Sequence, residues 1–76
     1  MDVRKLVRMA NQIAANLDYG PNKEQVVYAT ADHLRRFWSP SMLQLIVEHY
    51  RSGDAELSDL ASRAVARLAE EQQNVA

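Results

Sequence analysis

The sequence predicts an all-α fold, either a small four-helix bundle or an orthogonal helical array. Apolar residues recur at the i, i+3, i+4, i+7 spacing of amphipathic helices, and no stretch shows the alternation of a strand. The glycines and prolines fall together with polar residues at three places, residues 19–22, 39–40 and 52–54. These breaks divide the 76 residues into four helical segments. Since a domain typically needs about 50 residues or more, residues 1–76 are predicted to form a single helical domain.

The first two helices are predicted over residues 2–17 and 23–38. The first carries one apolar stripe, made of Val3, Leu6, Val7, Ala10, Ile13, Ala14 and Leu17. Asn22 suits the N-cap of the second helix, with Gln25 three positions later as in a capping box. This helix must end before Ser39, because the proline that follows disfavours helical geometry in the residue before it.

The third and fourth helices are predicted over residues 40–51 and 58–71. Ser39 suits the N-cap of the third helix, whose proline stands in the first turn, and Gly53 is a left-handed stop. The fourth helix could start at Asp54 or at Ser58, and Ser58 is preferred as its cap. After Glu70 the chain offers little to pack, so its last few residues are predicted to be disordered.

Composition narrows the class of protein. A hydrophobic fraction of 47% with 25% charged residues is typical of a globular chain rather than a disordered one. The absence of cysteine excludes disulfides, thiolate zinc sites and iron–sulfur ligation by this sequence. No apolar run nears the roughly 20 residues of a membrane span, and the N-terminus does not resemble a signal peptide. We therefore expect a cytoplasmic protein without membrane contact, supported by a partner or a second copy because so small a core is marginal.

The net charge of −1 is unevenly divided along the chain. Residues 1–38 carry six bases against four acids, whereas residues 39–76 carry three bases against six acids. Neither half has the strong basic excess that nucleic-acid binding usually requires. Binding to nucleic acid is therefore not expected.

Few residues of the sequence are of a type and spacing suited to catalysis, metal binding or phosphate binding. The only histidines, His33 and His49, are 16 positions apart and lack the short helical spacing that places two imidazoles on one face. The acids fall at helix ends and outer faces, and both glycines are isolated turn residues rather than parts of a phosphate loop. The sequence thus predicts no catalytic residues, no metal site and no bound cofactor.

Two short segments contain neighbouring residues that could act within the fold or toward a partner. Asn11 and Gln12 interrupt an apolar helix, and they are either a solvent-facing pair or polar contacts to a partner backbone. Phe37 and Trp38 are neighbours on a helix, about 100° apart, so one should face the core and the other should face outward. Tryptophan and arginine are enriched in interface hot spots, which leaves core and interface roles open here.

The same two segments, residues 5–13 and 33–42, resemble in order and spacing the delta subunit of NAD-dependent molybdenum formate dehydrogenases. The resemblance implies a small accessory subunit that supports assembly, cofactor insertion or stability of the catalytic subunit. It places the molybdenum pterin, flavin and iron–sulfur centres in partner subunits. By this resemblance and by side-chain type, the residues expected to contact the partner are Asn11, Gln12, His33, Arg36, Phe37, Trp38 and Pro40.

The sequence leaves two alternatives open. The chain could self-associate into a homodimer when isolated, since an apolar patch meant for a partner often closes on a second copy. It could instead be a helical DNA-binding regulator, with Arg35 and Arg36 on phosphates. The second alternative is weak because residues 40–51 contain only Arg51 as a base.

Overall fold

Four helices make up the structure, a computed structural model that describes residues 2–53 and 56–73. In chain order they are α1 Val3–Leu17, α2 Lys23–Phe37, α3 Pro40–Arg51 and α4 Asp59–Gln73. The predicted all-α class is confirmed, and the predicted helix ends differ from the observed ones by at most two residues. The helices form a small bundle of 32 × 29 × 23 Å.

Each helix starts at a polar side chain that accepts a backbone N–H bond of the first turn, which satisfies one of the donors left free at a helix start. The cap residues and their donors are Asp2 with Arg4 at 3.0 Å, Asn22 with Gln25 at 3.2 Å, Ser39 with Met42 at 3.3 Å and Ser58 with Ala61 at 3.2 Å. The preference for Ser58 as the cap of α4 is confirmed.

The connection after α3 turns at Gly53, as predicted. Its φ of +86° lies in the left-handed region, which glycine adopts without the steric cost of a Cβ atom. The Gly53 N–H donates to the Tyr50 carbonyl at 3.1 Å and thereby caps the end of α3. The sequence pattern therefore located this stop correctly.

The core lies between the four helices, and α4 contributes more of its buried residues than any other helix. α2 packs most extensively on α4, whereas α2 and α3, although consecutive, contact each other least. The largest fully buried apolar side chains are Leu6, Leu34, Ile46, Val47 and Val65. Burial of each such side chain is worth about 1.5–3 kcal/mol relative to exposure, so this shared core holds the four helices together.

α4 runs further than the sequence indicated. The helix continues to Gln73, two residues past the predicted end. Glu71, expected to lie at the start of a frayed tail, is held by Arg35 of α2 through two hydrogen bonds of 2.8 and 2.5 Å. The prediction of disorder for the last residues otherwise falls on 74–76, which lie outside the described residues.

Candidate functional site

Asn11 forms a polar link between α1 and the connection that precedes α4. Its Nδ2 donates to the Glu56 carbonyl at 3.0 Å, and its Oδ1 accepts the Ser58 N–H at 2.8 Å. The side-chain amide therefore pairs with the backbone on both sides of Leu57, whose side chain is buried in the core. The expected contact with a backbone exists, but this backbone belongs to the chain itself.

Gln12 has a different environment. It is exposed, and its Nε2 donates to Asn16 Oδ1 at 3.0 Å, one turn further along the same helix. A bond of this kind within one exposed helix face contributes only a few tenths of a kcal/mol. The amide of Gln12 is thus available to another molecule at little cost to the fold.

Of the two aromatic residues at the end of α2, one is buried and the other is exposed, as predicted. Trp38 is 7% exposed and belongs to the core, while Phe37 is 71% exposed. Trp38 stands at the C-cap of α2 with extended backbone, and its N–H still donates to the Leu34 carbonyl at 2.9 Å. Because Trp38 is buried, Phe37 is the member of the pair that offers its ring to another molecule.

The ring of Phe37 contacts the ring of His33, which lies one turn earlier on α2. The two rings are tilted by 44° with centroids 4.7 Å apart, which is a favourable aromatic geometry. Pro40, in the first turn of α3, is also exposed. We refer to the exposed or half-exposed residues His33, Arg36, Phe37 and Pro40 as the corner surface.

Asp32 organises the arginines beside the corner surface. Its Oδ2 lies 3.1 Å from Arg36 Nε, and its Oδ1 lies 3.1 Å from Arg35 Nη1. Arg35 also makes the paired contact with Glu71, and hydrogen bonding to that carboxylate raises the pKa of Arg35 above its usual value. The Arg35–Glu71 pair links α2 to α4, and the contact with Asp32 orients the Arg36 side chain, which remains 71% exposed.

The structure thus separates the seven predicted partner residues into three groups. Four of them form the corner surface, and Trp38 supports that surface from the core. Asn11 and Gln12 lie on α1, where Asn11 contacts the connection before α4. Sequence reasoning could not assign Asn11 this role because its backbone partners lie 45 and 47 residues away.

Sequence reasoning also passed over the exposed face of α1. This helix contains three bases, Arg4, Lys5 and Arg8, and no acid. All three side chains are exposed. The three bases without an acid are visible in the sequence of this segment. A count of charge over residues 1–38 hides them, because that range also contains four acids.

Two further features bear on the site. Within residues 2–53 and 56–73, no group of three or more histidine, aspartate or glutamate side chains is arranged to hold a metal ion. Over the same residues, none of the helices has both the length and the apolar character that a membrane span demands.

Comparison with known families decides the identity. The model of the family described as NADH-dependant formate dehydrogenase delta subunit FdsD matches residues 5–65, most of the chain. The chain belongs to this family. The resemblance seen in residues 5–13 and 33–42 is thereby confirmed, and both segments lie within the matched range. No curated protein and no solved structure matches the chain.

Membership in the FdsD family makes the chain the delta subunit of a formate dehydrogenase complex. The described side chains present an aromatic and arginine surface beside a paired carboxylate. Phenylalanine and arginine are residue types that interface cores favour over the rest of a protein surface.

Proposed function

We propose that this delta subunit is a non-catalytic, cytoplasmic accessory subunit that binds the catalytic subunit of formate dehydrogenase through the corner surface. In this role it supports assembly, cofactor insertion or stability of the molybdopterin-containing catalytic subunit. The pterin, flavin and iron–sulfur centres belong to the partner subunits. The sequence of this chain agrees with that division, since its 76 residues include no cysteine to ligate a cluster.

The exposure of Phe37 is the observation that carries the proposal. A phenylalanine that is 71% exposed leaves a large apolar ring in water, although the same helix buries Trp38 at the next position. The ring lies against His33, and this contact favours one orientation of the ring and so reduces the side-chain entropy that binding would cost. A partner that covers Phe37 would therefore gain most of the energy of burying an aromatic ring.

The neighbouring polar groups fit the same role. Arg36 is oriented by Asp32 yet remains largely exposed, so its guanidinium retains donors for a partner carboxylate or carbonyl. An anchoring aromatic with an arginine beside it is the composition of an interface hot spot. The corner surface therefore offers a partner both apolar area and directional hydrogen bonds.

The test is co-purification of the tagged chain with the formate dehydrogenase of the same organism. Phe37→Ala is expected to weaken the affinity for the catalytic subunit about thirtyfold and to lower its retention accordingly, because hot-spot truncations typically cost about 2 kcal/mol or more. Tyr19→Ala is the matched control, since Tyr19 is an aromatic of similar exposure, 75%, outside the corner surface. The control should retain the enzyme as well as the wild type does.

Formate oxidation and metal content of the purified enzyme give the second readout. Enzyme assembled without this chain, or with the Phe37→Ala variant, should contain less metal and show proportionally lower activity. Full activity and full metal content without the chain would contradict an accessory role. Equal retention by the wild type and Phe37→Ala would instead remove the corner surface from the proposal.

Self-association is the second candidate, and it is favoured by the same exposed ring. In the absence of the enzyme, a second copy is the most available apolar surface for Phe37. Sedimentation of the isolated chain over a range of concentrations tests this. A monomer at every concentration would reject the homodimer, and a dimer that Phe37→Ala dissociates would support it.

The DNA-binding alternative receives no comparable support. In the candidate recognition helix α3, the guanidinium of Arg51 donates to the Ala69 carbonyl at 3.3 Å, so the one arginine of that helix is engaged with α4. Asp32 and Glu71 occupy the guanidinium of Arg35. These side chains act within the fold rather than facing a groove.

A further inference from the structure

The exposed side of α1 carries a cluster of positive charge that is only partly paired within the fold. We call Arg4, Lys5 and Arg8 the α1 basic face; all three are exposed, and α1 contains no acidic residue. The opposite side of the helix is buried in the core through Leu6 and Val7. α1 is therefore an amphipathic helix whose polar side has a single sign of charge over its first two turns.

Most bases of the protein have partners inside the chain, and Arg4 of the α1 basic face, which pairs with Asp2, is one of them. Of the nine lysines and arginines, seven make an ion pair, a hydrogen bond or a cation–π contact with described residues. The seven engaged bases are Arg4, Lys23, Arg35, Arg36, Arg51, Arg63 and Arg67. Lys5 and Arg8 have no such contact within residues 2–53 and 56–73.

The positions of Arg4 and Lys5, in the first turn, also oppose the stability of α1. The start of a helix carries the positive end of the helix dipole, where acids are favourable and bases are unfavourable. Asp2 offsets part of this as the N-cap, and its hydrogen bond to the Arg4 N–H, with the charges of Arg4 and Arg8, lowers its pKa. Arg4 and Lys5 therefore stand where positive charge does not stabilise the isolated helix, which is compatible with a role toward another molecule.

We propose that the α1 basic face docks on an acidic surface of the catalytic subunit, as a second contact beside the corner surface. This inference rests on the proposed function, because the occupant is the same enzyme. Complementary charge is the argument: unpaired Lys5 and Arg8 would gain carboxylate partners, and the unfavourable end of α1 would be neutralised. Such a contact mainly speeds association and fixes orientation.

A protein surface fits this face better than nucleic acid or lipid does. Duplex binders commonly neutralise about 6–10 phosphates, whereas this face offers three bases on a chain of net charge −1. Recognition of anionic lipid usually needs about 4–8 clustered bases. Insertion of α1 into a bilayer would also need its apolar side, which the core already buries.

The test is a charge reversal with a charge-matched control. Lys5→Glu/Arg8→Glu is compared with Arg63→Glu/Arg67→Glu, which makes the same change in net charge on α4. Affinity for purified formate dehydrogenase lacking this chain is measured at low and at high salt. We expect the α1 double variant to bind about tenfold more weakly at low salt and the difference to shrink at high salt, while the α4 control stays close to the wild type.

Thermal unfolding of the isolated variants separates weaker binding from loss of structure. Lys5 is the third residue of α1 after the Asp2 cap, so Lys5→Glu places a carboxylate where it completes a capping box and suits the dipole. Lys5→Glu alone is therefore expected to raise the melting temperature of the chain while it weakens binding. Opposite changes in stability and affinity would not arise from a merely structural role.

The possible outcomes separate this inference from the proposed function. If the wild type is retained by the enzyme and the α1 double variant is retained equally, the inference is overturned and the accessory role stands. If the wild type itself is not retained, both fail. If reversal abolishes binding to a duplex DNA probe and leaves enzyme binding intact, the α1 basic face serves nucleic acid and the inference is overturned.

Discussion

The first helix and the corner between α2 and α3 each contain a pair of adjacent residues of which one lies inside the fold and the other lies at the surface. Each contains two neighbouring residues of similar type that the helix directs about 100° apart. Asn11 and Trp38 face inward, where one forms hydrogen bonds and the other packs in the core, while Gln12 and Phe37 face outward. In each pair, therefore, one residue stabilises the fold and the other is accessible to another molecule.

The two regions differ in how their charges are treated. At the corner, Asp32 holds both Arg35 and Arg36, so the exposed ring of Phe37 stands beside an ordered ion-pair network. On α1, Lys5 and Arg8 form no ion pair with a described residue, although the charge of Arg8 acts on Asp2 at the N-cap. If both surfaces bind the catalytic subunit as proposed, the corner surface would do so with side chains ordered in advance and α1 with charge that is only partly paired.

The largest expected effect distinguishes the two aromatics of the corner. Trp38→Ala should lower the free energy of unfolding by about 3–5 kcal/mol, because it removes a buried ring and leaves a cavity. Phe37→Ala should change it by no more than about 0.5 kcal/mol, because its ring is exposed. Urea denaturation followed by far-ultraviolet circular dichroism measures both, since the only tryptophan is the one replaced.

Trp38→Phe provides a milder variant in case Trp38→Ala does not fold. It should fall between the wild type and Trp38→Ala in stability. If Phe37→Ala proved as destabilising as Trp38→Ala, the division of the corner into a core member and a surface member would be wrong.

The next effect concerns the amide pair of α1. Asn11→Ala should cost about 1–2 kcal/mol, because two hydrogen bonds to the backbone before α4 are lost. Gln12→Ala, the matched control, should cost no more than a few tenths of a kcal/mol. Chemical denaturation gives the difference, and hydrogen exchange at the Ser58 N–H should report a local loss of protection in Asn11→Ala alone.

Asn11→Asp sharpens the same comparison. An aspartate keeps the acceptor for the Ser58 N–H but replaces the donor to the Glu56 carbonyl with an oxygen. It should therefore be less stable than the wild type. Equal stability of the wild type and Asn11→Asp would mean that the bond to Glu56 contributes nothing.

These two pairs show how far the sequence could lead. Periodicity predicted that Phe37 and Trp38 would face different directions, but it did not say which of the two would be buried. Polar caps and turn residues such as Ser39 and Gly53 located the helix ends. The bonds of Asn11 could not be foreseen, since they join positions at least 45 residues apart whose approach depends on the packing of the whole bundle.

A smaller effect tests the ion pair behind the corner surface. Glu71→Gln removes the charge that Arg35 contacts, and it should cost at most about 1 kcal/mol because both side chains remain partly exposed, 37% and 44%. The loss should decrease as salt is added. Thermal unfolding at low and high salt measures it, and a loss independent of salt would show that packing rather than charge is involved.

The sequence did not indicate this pair either. Glu71 was expected in a frayed end because no apolar residue follows closely. The structure continues α4 to Gln73, and the carboxylate of Glu71 forms its bond to α2 from the last turns of that helix. A long-range charge pair can thus order a helix end that hydrophobic periodicity alone predicts to be loose.

The smallest effect is a pH dependence at the start of α1. The folded-state pKa of Asp2 is lowered below 3.8 by its hydrogen bond to the Arg4 N–H, so the unfolded chain binds this proton more readily than the folded one. The contribution of Asp2 is therefore present above pH 3.8 and is lost as pH falls below it.

Asp2→Asn isolates this contribution, because asparagine is a comparable N-cap that does not titrate. Melting temperatures of the wild type and Asp2→Asn should differ near neutral pH and converge on acidification through the region below pH 3.8. A constant difference across that range would show that the carboxylate charge has no part in capping α1.

The paired hydrogen bonds of Asn11 have a consequence for how such proteins are recognised. The segment that marks the family resemblance, residues 5–13, includes a side chain that acts as a substitute peptide group inside the bundle. A segment that marks a protein family can thus contain residues that stabilise the fold as well as residues proposed to bind a partner. A library of variants in residues 5–13, screened separately for folding and for binding, would show which of these residues stabilise the fold and which bind the partner.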